Sequence, residues 1–324
     1  MKNKWWPLLL VFMVMVSCTV YSVDGVNSTN SIGSTDGAQA PKTVCLTIFH
    51  SNDFHGHEPV NLSRQAFIVK QERAENPNVL FLNAGDVFTR GKYHYDFYGE
   101  LEFAELNAMG LDALTLGNNE FKATGDADTA QGYLFSRIKQ ANFLVLCANV
   151  RQKKDGAYLP DVKPYIVKTI DGVRVGIFGV SANRIKDYSQ AKGLVVEDQL
   201  EAAQKMFPNV KAESDLVIAL THIGFDEDKK LAEALPGLAV IVGGDSHTVL
   251  KKPFLKNGIP IVQAGGENNQ YLGRLDLIFE YVDNSWKLTH YHGVLIRLND
   301  SVPEDPEVKG ILDSFVAKAQ KKAA

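Results

Sequence analysis

Seven residues able to hold a metal ion through oxygen or nitrogen stand just beyond apolar, strand-like runs: Asp53 and His55, Asp86, Asn118, His222, Asp245 and His247. Carboxylate, amide and imidazole groups are all ligands for divalent cations. A single Asp or Asn after a strand is ordinarily a turn residue or a helix cap. Here the arrangement recurs in five successive segments, and no one segment supplies all the donors. Loops beyond the carboxyl ends of strands are also where open α/β sheets place their sites. The chemistry suited to such a set is metal-assisted.

The elements that must position these groups follow from the hydrophobic pattern. Residues 44–50, 79–83, 113–116 and 143–147 are short apolar runs of strand length. Leu62, Phe67, Ile68 and Ala74 have helical spacing over 62–76, and helices are expected at 100–109, closed by Gly110, and at 129–140. The second half opens with a hairpin, 165–170 and 173–180, joined by Asp171-Gly172. Helix 199–212 precedes strand 216–220, and helix 228–234 precedes strand 239–242. Strands 259–263, 272–281 and 286–297 follow, then a helix from 306. The pattern predicts one α/β domain over 42–324 with a mixed sheet core.

The site segments resemble, in type and order, those of calcineurin-like metallophosphoesterases. These segments are Ser51-Asn52-Asp53-Phe54-His55-Gly56, Ala84-Gly85-Asp86, Gly117-Asn118-Asn119-Glu120-Phe121, Thr221-His222-Ile223-Gly224 and Gly243-Gly244-Asp245-Ser246-His247-Thr248. The N-terminal domain of the 5'-nucleotidase family is the nearer likeness, extended by Gln263-Ala264-Gly265 and Tyr271-Leu272-Gly273-Arg274-Leu275, so that it spans 43–279. The resemblance implies a four-layer α-β-β-α sandwich with two divalent metal ions (Mn, Zn, Mg or Fe) between the sheet ends. One ion would take Asp53, His55, Asp86 and His247. The other would take Asp86, Asn118, His222 and Asp245, with Asp86 bridging. Two ions about 4 Å apart can share a hydroxide and clamp a phosphoryl oxygen.

Three positions depart from the family pattern. Asn119 stands where most members have a His that assists the leaving oxygen, and Lys122 stands where they have the Asp that orients it. An amide cannot donate a proton as imidazolium does, so general-acid help of roughly 10²- to 10⁴-fold is missing. Asp245 replaces a ligating His, which lowers the formal charge of the centre and favours harder ions such as Mn or Mg over Zn. Two readings follow. One is a phosphoester hydrolase for a small molecule, nucleotides included, with its His/Asp dyad replaced. The other is a non-catalytic lipoprotein that keeps the scaffold to bind metal, a ligand or a partner. The stretch after the last predicted strand is too short for the separate C-terminal domain that stacks the nucleobase in full-length 5'-nucleotidases, so nucleoside specificity is not implied.

Other reactive side chains have quieter readings. Arg90, Lys92 and Tyr93-His94-Tyr95 follow Asp86; ordinary loop packing is the first reading and a substrate-cleft lining the second. His50, His57, His290 and His292 match no motif position and are read as structural or exposed. Cys45 and Cys147 are read first as buried free thiols, with a disulfide between them as the alternative in an oxidising compartment.

The first residues predict export. Lys2 and Lys4 precede an apolar run, 5–16, well short of the roughly 20 residues of a membrane span. The run ends at Met15-Val16-Ser17-Cys18, which resembles a bacterial lipobox, with Met15 in place of the usual Leu. Residues 1–17 are therefore expected to be a signal peptide and Cys18 the lipidated N-terminus; the alternative is an ordinary signal peptide cut a few residues later, near Ser22. Residues 18–41, rich in Ser, Asn, Thr and Gly, are expected to be a flexible tether to the membrane. The 324 residues carry a formal charge of -4, with 45% hydrophobic and 22% charged side chains. That balance fits a globular domain with a sizeable core, and without a basic run nucleic acid is not an expected partner.

Overall fold

The structure is a computed structural model and describes residues 21–22, 42–266 and 268–323. The expected leader, Cys18 and all but two residues of the tether lie outside the described residues.

Two large sheets organise the described chain. The first has eight strands in the order Tyr21–Ser22, Ser285–Arg297, Tyr271–Val282, Thr43–Ser51, Val79–Asn83, Ala113–Thr115, Leu144–Leu146 and Val162–Lys163. The second has six, in the order Phe254–Lys256, Ile259–Val262, Val240–Val242, Leu216–His222, Val173–Ser181 and Tyr165–Ile170. The central strands of each sheet run parallel. Their carboxyl ends therefore open on one side of the molecule.

Side-chain alternation sets the layers. Leu216, Ile218 and Leu220 meet Ile48, Leu80 and Leu82 between the sheets. The intervening Val217 and Ala219 face helices Gln199–Glu213 and Phe225–Ala234 through Ala203, Met206, Val210 and Leu231. On the other side, Phe49, Phe81, Leu114 and Val145 pack against Leu62, Ala66, Phe103, Leu106 and Leu134. Those residues belong to helices Val60–Glu75, Glu100–Met109 and Ala127–Gln140. The layers are α-β-β-α, as the resemblance implied.

Local chemistry accounts for several element ends. Gly110 ends its helix in a left-handed conformation at φ 70°. Asp171 and Gly172 both have positive φ, the requirement of the tight turn that joins Tyr165–Ile170 to Val173–Ser181. The helix expected from 129 begins earlier, at Ala127, because Asp126 accepts a hydrogen bond from the Thr129 amide and serves as its cap. The short pair Val150–Gln152 and Leu194–Val196 and the 3₁₀ turn Asn119–Lys122 were not predicted; each is too short for its own periodicity.

The thiols need one correction. Cys147 is buried, but Cys45 is exposed, because it lies out of phase with Val44 and Leu46, which face the inter-sheet core. Both are free. His50 is structural: Gly273 leaves room for its ring, since a Cβ there would stand 2.0 Å from Nε2. Burial lowers the His50 imidazole to about 3.

Candidate metal centre

The loops at the open strand ends fold back tightly. Asp53, His55, Asp86, Asp245 and His247 all lie in the left-handed region, with φ of 53°, 51°, 56°, 79° and 53°. Non-glycine residues in that region carry strain of order 1–3 kcal/mol each and persist where surrounding bonds fix them. Asp53 N–H donates to Gly85 O at 2.9 Å, and His55 N–H to Asp86 O at 3.0 Å. Gly117 is required by close approach: a Cβ there would lie 2.2 Å from Asp86 Oδ1. The buried Glu120 carboxylate accepts the amides of Asp86 (2.9 Å), Val87 (2.8 Å) and Gly117 (2.7 Å). Burial first, and Asp86 second, push its carboxyl up to about 7, against the pull of those amides.

Five side chains converge from both sheets. His55 Nε2 and His247 Nε2 are 3.3 Å apart. Asp53 Oδ1 lies 3.3 Å from His247 Nε2 and 3.8 Å from His222 Nε2. Asp86 Oδ2 lies 3.3 Å from His222 Nε2 and 3.8 Å from His55 Nε2, between the two rings. Two groups of candidate ligand atoms result, Asp53 with His55 and His247, and Asp53 with Asp86 and His222. Asp53 Oδ1 is buried and accepts no hydrogen bond from any described residue. A buried carboxylate oxygen left in that state is costly unless a cation meets it, so this donor set fits a divalent ion.

The two buried imidazoles differ in charge when no cation is bound. Burial outweighs the pull of Asp86 and Asp53 on His55 and lowers its imidazole to about 4, leaving a neutral ring with a lone pair to offer. His222 is the opposite case. Burial alone would lower it, but the Asp86 and Asp53 carboxylates prevail and raise it to about 10. His222 Nδ1 donates to Ala84 O at 2.6 Å, which points Nε2 into the centre. Asp86 is held below the usual carboxylate range: burial opposes this, and His222, then His55 and the Asn119 amide, overcome it.

The loops of the two sheets are bonded to each other around this point. Besides His222 to Ala84 O, the Asp245 amide donates to Asp53 Oδ2 at 2.8 Å, and the Ala264 amide to Asn52 Oδ1 at 2.8 Å.

Asn118 and Asp245 sit at the far side, with Asn118 Oδ1 3.3 Å and Asp245 Oδ1 3.5 Å from His222 Nε2. Both oxygens also meet Arg184, through a 3.0 Å hydrogen bond to Asn118 Oδ1 and an ion pair with Asp245 Oδ1. Asn119 turns inward: its backbone N–H donates to Asp86 Oδ1 at 2.7 Å and its side-chain amide to Asp86 Oδ2 at 2.5 Å. Lys122 Nζ stands 4.6 Å from the centre of the Tyr188 ring. Above these groups lies a cleft of about 500 Å³ whose lining includes Asp86, Arg90, Asn119, Lys122, Arg184 and Tyr188.

Of the two basic residues considered as substrate contacts, Arg90 lines this cleft. Lys92 is not among the lining residues and stacks its ammonium on Tyr93. His94 is buried against Ala123 O at 2.9 Å. Arg184 and Tyr188 are the residues that sequence reasoning missed. Their signal was positional: Arg184 follows the carboxyl end of Val173–Ser181, a parallel central strand like those that carry the other groups.

A family model for calcineurin-like phosphoesterases matches residues 46–249. The chain belongs to the calcineurin-like phosphoesterase family. Within it, the chain is 33% identical to human 5'-nucleotidase over 316 residues, covering 84% of this chain and 53% of that protein. It is 30% identical to the trifunctional nucleotide phosphoesterase protein YfkN of Bacillus subtilis over 301 residues, covering 83% of this chain and 20% of that one. The chain thus spans about half the length of the 5'-nucleotidase and a fifth of the second relative. Among solved structures, a 5'-nucleotidase precursor from Thermus thermophilus superposes with a TM-score of 0.74 at 28% identity, covering 86% of this chain and 59% of that one. A calcineurin-like phosphoesterase, YfkN from Bacillus subtilis, superposes at 0.73 and 25% identity, covering 87% and 99%. The family is one of divalent-metal phosphoesterases, and Asp53, His55, Asp86, His222 and His247 are the candidate ligands here.

Proposed function

We propose that this chain is a metal-dependent phosphoester hydrolase, exported and held to a membrane by lipid on Cys18, acting on a small phosphoester such as a nucleotide. The observation that carries the reading is Asp53 Oδ1, buried without a hydrogen-bond donor beside the converging imidazoles of His55 and His247. With Asp86 nearby, these groups would hold a divalent ion, which supplies Lewis-acid polarisation of a phosphoryl oxygen and a more acidic water. The chain's own cations, Arg90, Lys122 and Arg184, line the cleft and offset the charge of a bound phosphoryl group. The nucleotide class is supported by the relatives named 5'-nucleotidase. Export and anchoring are supported by residues 1–18 of the sequence; among the described residues no helix is long and apolar enough to cross a membrane.

Asn119 supports a second reading, a scaffold that binds without turnover. Its amide is engaged with Asp86 and has no acidic proton to give a leaving oxygen. One experiment separates the two. Protein stripped and reloaded with Mn, Zn or Mg is assayed against nitrophenyl phosphates, phosphodiesters and nucleoside monophosphates. Metal-dependent release of phosphate or nitrophenol is the expected result. A loaded protein that cleaves none of these esters would leave the scaffold reading.

A further inference from the structure

We infer that Asn52 and Gln263, two buried amides outside the set of candidate ligands, are positioning residues that together set the Asp53–His247 pair for a cation. The inference rests on the proposal that these two ligands, with His55 and Asp86, hold a divalent ion.

Asn52 uses every polar atom of its side chain. Nδ2 donates to Asp53 Oδ2 at 2.7 Å and to Gly265 O, and Oδ1 accepts the Ala264 N–H at 2.8 Å. The Asp245 N–H reaches the same Asp53 Oδ2 at 2.8 Å. Two donors thus occupy one oxygen of the carboxylate, while Oδ1 accepts no hydrogen bond from any described residue. Turning the carboxylate over would give up both bonds, so Oδ1 is the oxygen presented to His247 Nε2, 3.3 Å away. An amide meets these demands at position 52. A carboxylate there would set its oxygens against Asp53 Oδ2 and Gly265 O, and an apolar side chain would leave the buried Ala264 N–H without its acceptor.

Gln263 does the same for the opposite loop. Its Oε1 accepts the Thr248 N–H at 2.5 Å and the Ser246 hydroxyl at 2.9 Å, and its Nε2 donates to Gly244 O at 2.8 Å. These three bonds span residues 244–248, the loop that carries His247. The Gly265 N–H adds a bond to Thr248 O at 3.1 Å. Gly266 lies against the His247 ring, where a Cβ would stand 2.5 Å from Cγ. Residues 263–266 follow directly on strand Ile259–Val262 and hold Asp53 through Asn52 and His247 through Gln263. Because the four are consecutive, the two amides act on the distance between the ligands as well as on each ligand. Both amides are buried, so bulk water does not stand ready to replace their bonds.

Metal affinity, measured without turnover, tests the inference. Full-length protein and its variants are stripped of metal, and Mn²⁺ binding is titrated against a competing chelator. Visible spectra of the Co²⁺-loaded forms report the ligand geometry, and urea unfolding reports stability. Asn52→Ala and Gln263→Ala are each expected to bind Mn²⁺ about 10- to 100-fold more weakly and to alter the Co²⁺ spectrum. Asn107→Ala is the comparison. Asn107 also joins two segments through its amide, donating to Gln140 O at 2.8 Å and accepting the Asn142 N–H at 2.6 Å, but it lines no part of the cleft. Its loss should lower stability and leave the affinity and spectrum of the wild type. Wild-type affinity in folded Asn52→Ala or Gln263→Ala, or an equal loss in Asn107→Ala, would overturn the inference. Where an alanine variant does not fold, Asn52→Ser or Gln263→Glu, which keeps an oxygen acceptor, takes its place with the same expectation. A wild type that binds no Mn²⁺ would remove both the inference and the metal-dependent reading. If the variants bind more weakly as expected and no ester is cleaved, the hydrolase reading fails and the inference stands.

Discussion

The Glu120 carboxylate receives the backbone N–H of Asp86 at 2.9 Å, and through its bonds to Gly117 and Val87 it joins the loops that carry Asp86 and Asn118. Glu120 acts on the candidate ligands through these backbone bonds, as a positioning residue. Glu120→Gln keeps the shape but turns an amide N–H₂ toward a backbone donor. Metal affinity should fall by about 10- to 100-fold, the usual cost of losing an outer partner of a metal ligand. A chelator-competition titration measures it; equal affinities in the two proteins would show that the Asp86 loop holds its shape without Glu120.

Asn119 and Lys122 are expected to set the leaving-group dependence of the proposed hydrolysis. With no proton donor at 119, cleavage should depend steeply on leaving-group acidity, so that nitrophenyl phosphate is cleaved and AMP barely reacts. Asn119→His with Lys122→Asp should raise the rate on AMP by up to about 10²-fold and help nitrophenyl phosphate far less. Each single change should do less than the pair. If the wild type cleaves both esters equally well, another group in the cleft supplies the proton.

Glu105 is expected to make stability fall as pH rises. It is buried on the helix Glu100–Met109, and neither of its carboxylate oxygens has a hydrogen-bond partner among the described residues. Burial, and then Glu102, raise its carboxyl well above the ordinary 4.5; Glu102 itself is raised by burial to about 7. An acid whose pKa is higher folded than unfolded binds more protons in the folded state. Its stabilising effect is complete below 4.5 and is lost as pH climbs through the folded value. Glu105→Gln removes the ionisation and should be more stable than wild type at pH 8, with the gain shrinking toward pH 4. Urea unfolding at the two pH values tests this, and parallel pH profiles would sink it.

Cys18 carries the anchoring proposal. Wild-type protein expressed with its leader should partition into detergent and incorporate labelled fatty acid, and Cys18→Ala should do neither. Membrane association that survives the substitution would mean that another segment holds the chain to the bilayer.

Much of this was legible in the sequence because the signals are local. Alternation in 216–220 and the apolar run 79–83 identified buried strands, and Asp171-Gly172 fixed a hairpin. The ligand candidates were legible for the same reason, since each follows directly on a strand. Arg184 was not, because nothing in Asn183-Arg184-Ile185 distinguishes a site arginine from a surface one. Only the pairing of Leu216–His222 with Val173–Ser181 brings it to Asp245. Cys45 was misread because its neighbours are apolar, and a run of apolar residues does not say which of two faces is covered.

The hydrogen bonds that cross between the sheets, His222 to Ala84, Asp245 to Asp53 and Ala264 to Asn52, hold the ligand-bearing loops in register by means of the polypeptide itself. Folding therefore meets the entropic cost of ordering them before an ion arrives. In small zinc domains, by contrast, metal binding and folding are a single event. Here the polypeptide is a template that its cation enters. One divalent species could be exchanged for another without unfolding, and the identity of the occupant would follow the supply of ions around the protein.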